Sequence, residues 1–413
     1  MDVIIIGGGP AGLMAAITAA KRGLSVSVFE KNKMLGRKLR ITGKGRCNVT
    51  NACDFDELLS NIPQGSKFMM SSLRSFDNHD LMNFFEENGL PLVIERGNRV
   101  FPESQSASDV ADCLKKLCKK LNIEIYCGTE VTEILVGEDK RACGIRCGDS
   151  EFHAKAVILA TGGLSYPLTG STGDGYKWAE QLGHKVTELK PSLVGLYSND
   201  KLIPKLQGLS LKNIGFRLFQ NDKKVYEDFG ELLFTDKGIS GPVVLSGSRT
   251  ILKYGFNNIK AEIDLKPALD DQKLDARIQR DFQMYSRKQI VNSLGDLLPK
   301  SLISVIIKKW KISENKFVNQ ITKEERERLV HLLKHFTVTI NGSEGFERAV
   351  VTAGGIDLKE INPKTMESKL VPGLFFAGEI LDVDAYTGGF NLTVAFTTGA
   401  AAGRNVLHTG NKT

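Results

Sequence analysis

Residues Met1 to Glu30 constrain this chain more tightly than any other stretch. Val3–Ile6 is wholly apolar, the pattern of a strand buried on both faces of a parallel sheet. It runs into Gly7-Gly8-Gly9-Pro10-Ala11-Gly12, in which Gly7, Gly9 and Gly12 satisfy G-x-G-x-x-G. A helical stretch from Ala11 to Arg22 follows, closed by Gly23, and a second strand, Leu24–Phe29, ends in Glu30. Gly7 permits the tight turn, Gly9 lets backbone approach a pyrophosphate, and Gly12 lets the helix lie close on the strand. The helix N-terminus adds free N–H groups and a positive dipole end. Glu30 stands 18 residues beyond Gly12, where a carboxylate can accept both ribose hydroxyls of an adenosine. Dinucleotide binding is the reading.

The rest of the chain supplies a doubly wound α/β domain that is interrupted. Lys31–Asn51 is basic, glycine-rich and poor in apolar residues, so it is expected to be a functional loop over the cofactor. Asp80–Asn88 reads as helix. Asp109–Leu121 does so clearly, with Val110, Cys113, Leu114, Leu117, Cys118 and Leu121 on one face. Ile123–Tyr126 is expected as the third parallel strand. Glu130–Val136, Ala142–Arg146 and Glu151–His153 suggest a three-stranded meander leading to a buried strand, Ala156–Ala160, that ends in Thr161-Gly162-Gly163. Glycines there bring backbone close to a ligand at the carboxyl ends of the strands. Asp174–Leu182 is a short helix.

From about Leu193 the pattern changes. Two-residue alternation in Ile214–Phe219 and Ala261–Leu265 suggests an antiparallel β module, and Asp270–His335 a helical insert with a capping box at Thr322 and Glu325. Sheet returns at Phe336–Ile340 and Ala349–Val351. Gly373–Glu379 is a further apolar strand, followed by an Ala/Gly-rich helix, Thr393–Val406. The expected division is therefore 1–193 and 346–413 for the cofactor domain, with 194–345 inserted on the substrate side as a β-barrel-like module plus a helical module.

Composition narrows the classes. The 413 residues suffice for two or three cores, and no apolar run approaches the roughly 18 residues of a membrane span. Met1 leads directly into the first strand, which leaves no room for a signal peptide, and a cytoplasmic protein is expected. Seven cysteines, an odd number, all fall in the first 150 residues and read as thiols; no metal site is expected. The net charge is +7, and Asp296–His335 holds nine Lys/Arg against five Asp/Glu. That segment reads as a solvated helical face, with anionic partners left open.

The fingerprint from Gly7 to Glu30, ATGG at 160–163 and FFAGEILD at 375–382 resemble the glutathione-reductase-type FAD fold. GRKLRITGKGRCNVTN (36–51), RVFPES (99–104), SYPLTGSTGDG (165–175), LLFTDKGISGP (232–242) and TMESKLVPGLFFAGEILDVDAYTGGFNL (365–392) resemble the BaiN-like family of FAD-dependent oxidoreductases, over nearly the whole chain. That family includes bile-acid reductases and aminoacetone oxidases. The resemblance implies FAD held by Gly7, Gly8, Gly9, Pro10, Ala11 and Gly12, with Glu30 at the adenosine ribose, Val131 at the adenine through its backbone, and Lys31 also at the cofactor. It puts Lys38, Arg46, Cys47 and Asn48 on the pyrophosphate and flavin side, with Thr161, Gly162, Gly163, Asp174, Gly378 and Glu379 also at the cofactor. Asp382 would meet ribityl or phosphate, and Gly389, Phe390, Asn391 and Leu392 would lie along the isoalloxazine. No catalytic acid or base follows from it.

Cys47 and Cys53 enclose five residues, and Cys47 comes 17 residues after Glu30. Flavin disulfide reductases use four intervening residues, starting closer to the ribose acid. Cys47 therefore reads as a packed or flavin-adjacent thiol. No second ribose acid and βαβ unit accompany Gly170–Gly175, so NADH or NADPH would dock only transiently. The expected activity is NAD(P)H-driven reduction of an activated C=C bond in a small steroid-like substrate. Oxidation of a small amine such as aminoacetone is the alternative. A flavin-dependent nucleic-acid-modifying protein rests only on the basic 296–335 segment, and neither nucleic acid nor membrane is expected as partner.

Overall fold

A computed structural model describes residues 1–407. The chain divides into two compact units: Met1–Ser192 together with the residues from Phe346 onward, and Leu193–Gly345.

The first unit is built on a five-stranded sheet in the order Leu374–Phe376, Ala156–Leu159, Val3–Ile6, Val26–Glu30, Glu124–Cys127. Every pairing in it is parallel. Val3–Ile6 lies in the middle, with Val26–Glu30 on one side and Ala156–Leu159 on the other, so the strand order reverses at its edge. Ligands of open α/β sheets bind in the crevice at such a reversal, outside the carboxyl ends of the strands. The three central strands are buried. The helix Pro10–Ala20 packs on them, Ala142–Cys147 of the meander contacts Ala156–Leu159, and Phe152 of the meander meets Phe29 and Tyr126. This α/β architecture with an inserted antiparallel unit is the one expected from the sequence.

The helix Pro10–Ala20 starts with proline in its first turn and buries Ala11 to Ile17 and Ala19. It packs on the last described helix, Phe390–Asn405, which buries twelve residues, most of them small. Contact there is backbone to backbone: a Cβ on Gly399 would stand 2.2 Å from the Ala11 carbonyl oxygen. The last helix begins at Phe390 rather than Thr393, because Gly389 takes a left-handed conformation (φ 99°) and serves as its N-cap. Lys31–Asn51 departs from the expected loop. Leu35, Leu39, Cys47 and Val49 are buried and anchor it to the core, and Leu39–Gly45 forms short 3-10 turns.

The second unit holds a seven-stranded antiparallel sheet, Phe336–Ile340, Ile259–Asp264, Ser210–Gln220, Lys223–Phe234, Gly238–Ser240, Leu196–Tyr197, Gly342–Ser343. The two edge strands are successive in the chain, with only Asn341 between them, so the sheet curls round toward closure. Closure of this kind is how all-β modules remove exposed edges. Helices Pro242–Ile251, Asp271–Met284, Lys300–Trp310 and Lys323–Lys334 complete the unit. The last is started by the reciprocal Thr322 and Glu325 capping bonds, at 3.2 and 2.9 Å. No helix among the described residues is long and apolar enough to cross a membrane.

Replacing Gly399 with valine should push the two helices apart and destabilise the first unit by about 1–3 kcal/mol, the usual cost of overpacking. A lowered Tm with weakened flavin retention is the expected result. An unchanged Tm would show that the crossing yields.

Candidate active site

The carboxyl ends of the parallel strands bring the sequence-predicted residues to one edge. Gly7 follows Val3–Ile6, Glu30 ends Val26–Glu30, Thr161-Gly162-Gly163 follow Ala156–Leu159, and Gly378-Glu379 follow Leu374–Phe376. At the turn, Gly12 leaves room for the Gly7 carbonyl oxygen, which would sit 1.9 Å from a Cβ at that position. Gly9 differs: a Cβ there would meet nothing within 4 Å. The helix behind it has no side-chain cap and no acidic residue in its first turn. Free N–H groups thus face open space, the arrangement that receives a pyrophosphate.

Glu30 is buried and already held. Its Oε2 accepts the Gly8 N–H at 2.8 Å, and Oε1 accepts the Asn32 N–H at 2.8 Å and the Asn32 Nδ2 at 2.7 Å. A carboxylate has about four lone-pair sites, so ribose hydroxyls can still be accepted. Glu30, Lys31, Val131, Thr161, Thr172 and Asp174 line a narrow cavity of about 50 Å³. Lys31 Nζ donates to Asp174 Oδ2 at 2.6 Å and to the Thr172 hydroxyl. Burial raises the Asp174 pKa, but the Lys31 and Thr172 hydrogen bonds outweigh it and hold the group below the usual carboxylate value. Within this half of the site the Thr161 hydroxyl is buried with no partner.

Lys38 and Glu379, both expected at the cofactor, are paired with each other at 2.8 Å. Glu379 also accepts the Thr352 N–H at 2.8 Å and the Ser165 hydroxyl, while Lys38 donates to Ser165 at 2.5 Å. Burial pushes the Glu379 pKa up, and Lys38 with these donors brings it below the usual value, so the cluster carries a settled carboxylate. Gly163 passes beside it, since a Cβ there would fall 2.4 Å from the Thr352 hydroxyl and 3.0 Å from Glu379. Gly162 stands against the Ser171 side chain, and Gly378 donates its N–H to the Thr398 hydroxyl at 2.9 Å.

Other expected residues also have partners within the protein. Arg46 reaches Glu95, donates to Gln105 at 2.5 Å and lies 4.2 Å above the Phe101 ring. The Asn391 amide clamps its own loop, accepting from Ala385 N–H at 2.9 Å and donating to the Ala385 and Tyr386 carbonyls. Asp382 accepts from Gln64 at 3.1 Å. Backbone offers further donors. Gly389, Phe390, Asn391 and Leu392 open the last helix, which has no side-chain cap and no acidic residue in its first turn. Nearby in sequence to Arg46, Asn48 keeps a buried, unpartnered Oδ1.

The cysteine loop is inert. Cys47 is fully buried in a left-handed conformation (φ 59°), and burial pushes its thiol up to about 12. Burial likewise raises Cys53 to about 11, and both are free thiols. A reactive dithiol needs thiolate character, which neither has. Sequence reasoning missed Ser165 as a cluster member although it lies in the SYPLTG motif. It also missed Asn32, Gln64, Thr172 and Thr352, which carry no motif of their own.

The open Gly9 turn, the Glu30 carboxylate and the orphaned Thr161 and Asn48 oxygens fit FAD, whose phosphates, ribose and ring edges offer matching groups. The fold and site define a Rossmann-type flavin oxidoreductase. The profile of the HI0933-like protein Rossmann domain matches residues 1–405. The ribosomal RNA dihydrouridine synthase of Haemophilus influenzae is 34% identical over 409 residues, 98% of each chain. The 3-dehydro-bile acid delta(4,6)-reductase of Clostridium scindens is 32% identical over 405 residues, 97% of each chain. The crystal structure of 3-ketosteroid-delta4-(5alpha)-dehydrogenase from Rhodococcus jostii RHA1 superposes with TM-score 0.52 at 15% identity. The match covers 98% of this chain and 96% of that one, and it shares the fold. The chain belongs to the HI0933-like family and is an FAD-dependent oxidoreductase.

Glu30→Ala should weaken FAD retention by removing charge-assisted hydrogen bonds worth about 1.5–3 kcal/mol each. Flavin loss on gel filtration checks this, and full retention would remove Glu30 from the site. The double change Cys47→Ser and Cys53→Ser should leave flavin reduction within about tenfold, about 1.4 kcal/mol. Loss of several orders of magnitude with FAD still bound would restore a dithiol mechanism.

Proposed function

We propose that this protein reduces a ring C=C bond conjugated to a carbonyl, and that its substrate is a uridine of ribosomal RNA. The observation that carries the reaction class is full-length similarity to two enzymes whose names describe such a saturation, one on a uracil ring and one on a 3-oxo steroid. The charge distribution favours RNA. Leu193–Gly345 holds 25 Lys/Arg and 18 Asp/Glu, the chain's entire excess of seven, while the remaining residues balance at 30 and 30. A steroid gives no reason for that segregation, and a polyanion does. This departs from the expectation that nucleic acid is not a partner.

Bound FAD supplies a hydride, taken in this proposal from transiently docked NADH or NADPH, for the β carbon of the conjugated bond; a proton completes the α carbon. The protein's part is binding and electrostatics. The Gly9 turn and helix N-terminus hold the pyrophosphate, and Glu30 the ribose. The Gly389–Leu392 N–H groups stabilise negative charge at the pyrimidine edge of the ring system. The Lys38–Ser165–Glu379 cluster orders the neighbouring backbone at Gly163.

A steroid enone is the second reading, supported by the Clostridium scindens relative. Oxidation of a small amine is tested beside it. Under anaerobic conditions a reduced nicotinamide should bleach the flavin, and ribosomal RNA lacking the modification should restore it. Nucleosides from that RNA should contain dihydrouridine by mass spectrometry. Reoxidation by a 3-oxo-Δ4 steroid but not by RNA would favour the second reading. Flavin reduction by aminoacetone alone, with peroxide formed in air, would replace both.

A further inference from the structure

Part of the positive excess of Leu193–Gly345 lies on one helix. Lys300–Trp310 contains no carboxylate. It buries Leu302, Ile303, Val305, Ile306, Ile307 and Trp310, which leaves Ser301, Ser304, Lys308 and Lys311 exposed at steps of three, four and three. The short turn Ile203–Leu206 packs against this helix through its buried Ile203 and Leu206 and carries exposed Lys205 to Lys308. Hydrogen-bond approach and charge repulsion from Lys308 hold the Lys205 pKa below the ordinary lysine value. The carboxylate of Asp200 does not relieve them, because Lys309 takes it at 2.7 Å. Lysines in a last helical turn also complement the helix dipole. That accounts for Lys308 but not for Lys205, which another segment delivers. Nor does it account for Lys311, held at φ 60° where glycine is the unstrained residue.

We propose that this face docks the RNA sugar-phosphate backbone, with Lys205, Lys308 and Lys311 on phosphates and Ser301 and Ser304 donating hydroxyls to phosphate oxygens. The inference rests on the RNA reading above and adds where the polyanion is held. Phosphates supply the counter-charge that the paired ammoniums lack, and hydroxyl–phosphate bonds are a regular part of such interfaces. A membrane-inserting face would add exposed large apolar side chains, and this helix presents none.

The test compares the FAD-loaded full chain with its K205Q/K308Q/K311Q variant, using deproteinised ribosomal RNA as the probe across a salt series. Each lost phosphate contact should reduce the slope of log affinity against log salt by about 0.7–0.9. The variant should therefore bind about tenfold or more weakly at 0.1 M salt, with a slope lower by about two. The corresponding lysine-to-arginine variant should keep affinity. Nicotinamide-driven flavin reduction and Tm should be unchanged in both, which separates docking from folding. If the parent chain makes dihydrouridine and the glutamine variant binds RNA with unchanged affinity and slope, the docking face is elsewhere and the RNA reading stands. If the parent chain neither binds nor modifies ribosomal RNA but turns over a steroid enone, both fall together.

Discussion

Gly12 has no side chain because the carbonyl oxygen of Gly7 occupies its place, 1.9 Å from where a Cβ would be. Everything at the cofactor edge depends on that approach. It lets the helix Pro10–Ala20 start immediately behind the central strand, so its free N–H groups open onto the crevice where strand order reverses. The same helix must then meet Phe390–Asn405 at backbone distance, which Gly399 permits. A second helix N-terminus, at Gly389, is thereby fixed within the same unit. Two dipole ends on one rigid scaffold suit a ligand that is anionic at its phosphates and gains charge on its ring.

Side-chain chemistry in this unit is largely self-satisfied. Lys38 answers Glu379, Lys31 answers Asp174, and Arg46 answers Glu95. Groups expected at the cofactor are thus already held by partners within the protein. The energetic logic favours this: a buried charge left without a partner costs several kcal/mol, whereas an ordered N–H costs nothing further when a ligand arrives. The site is a backbone cradle braced by ion pairs.

The architecture was legible in the sequence wherever burial imposed a period. Val3–Ile6 and Ala156–Leu159 announce themselves as apolar runs, and Asp109–Leu121 as a helical stripe matching Ala107–Lys120. Helices Ser66–Ser75 and Pro242–Ile251 escaped notice because serine and glycine interrupt their patterns. The basic stretch after Glu30 was misjudged as free loop, since its four buried apolar residues are spaced too irregularly to mark either helix or strand. Candidate site residues were legible as motif, but their partnerships were not. Lys38 and Glu379 are 341 residues apart, and Asn391 bonds a loop only five and six residues before it. Motif position says that a residue is near the cofactor; only packing decides what its polar atoms touch.

Substrate choice is then a separate problem from cofactor binding. A uracil ring and a steroid enone present the same conjugated bond to a hydride donor, so one flavin site could serve either. Discrimination must come from what surrounds the reacting ring, and in RNA most of the surroundings are phosphate. A unit that is electrically balanced, 30 charges against 30, gives little long-range preference for a polyanion. One that carries all seven excess positive charges of the chain does, which is what the proposed RNA reading calls for. On the proposed reading, the division of this chain into an electrically balanced unit and a basic inserted unit would separate the chemistry from the choice of what it acts on.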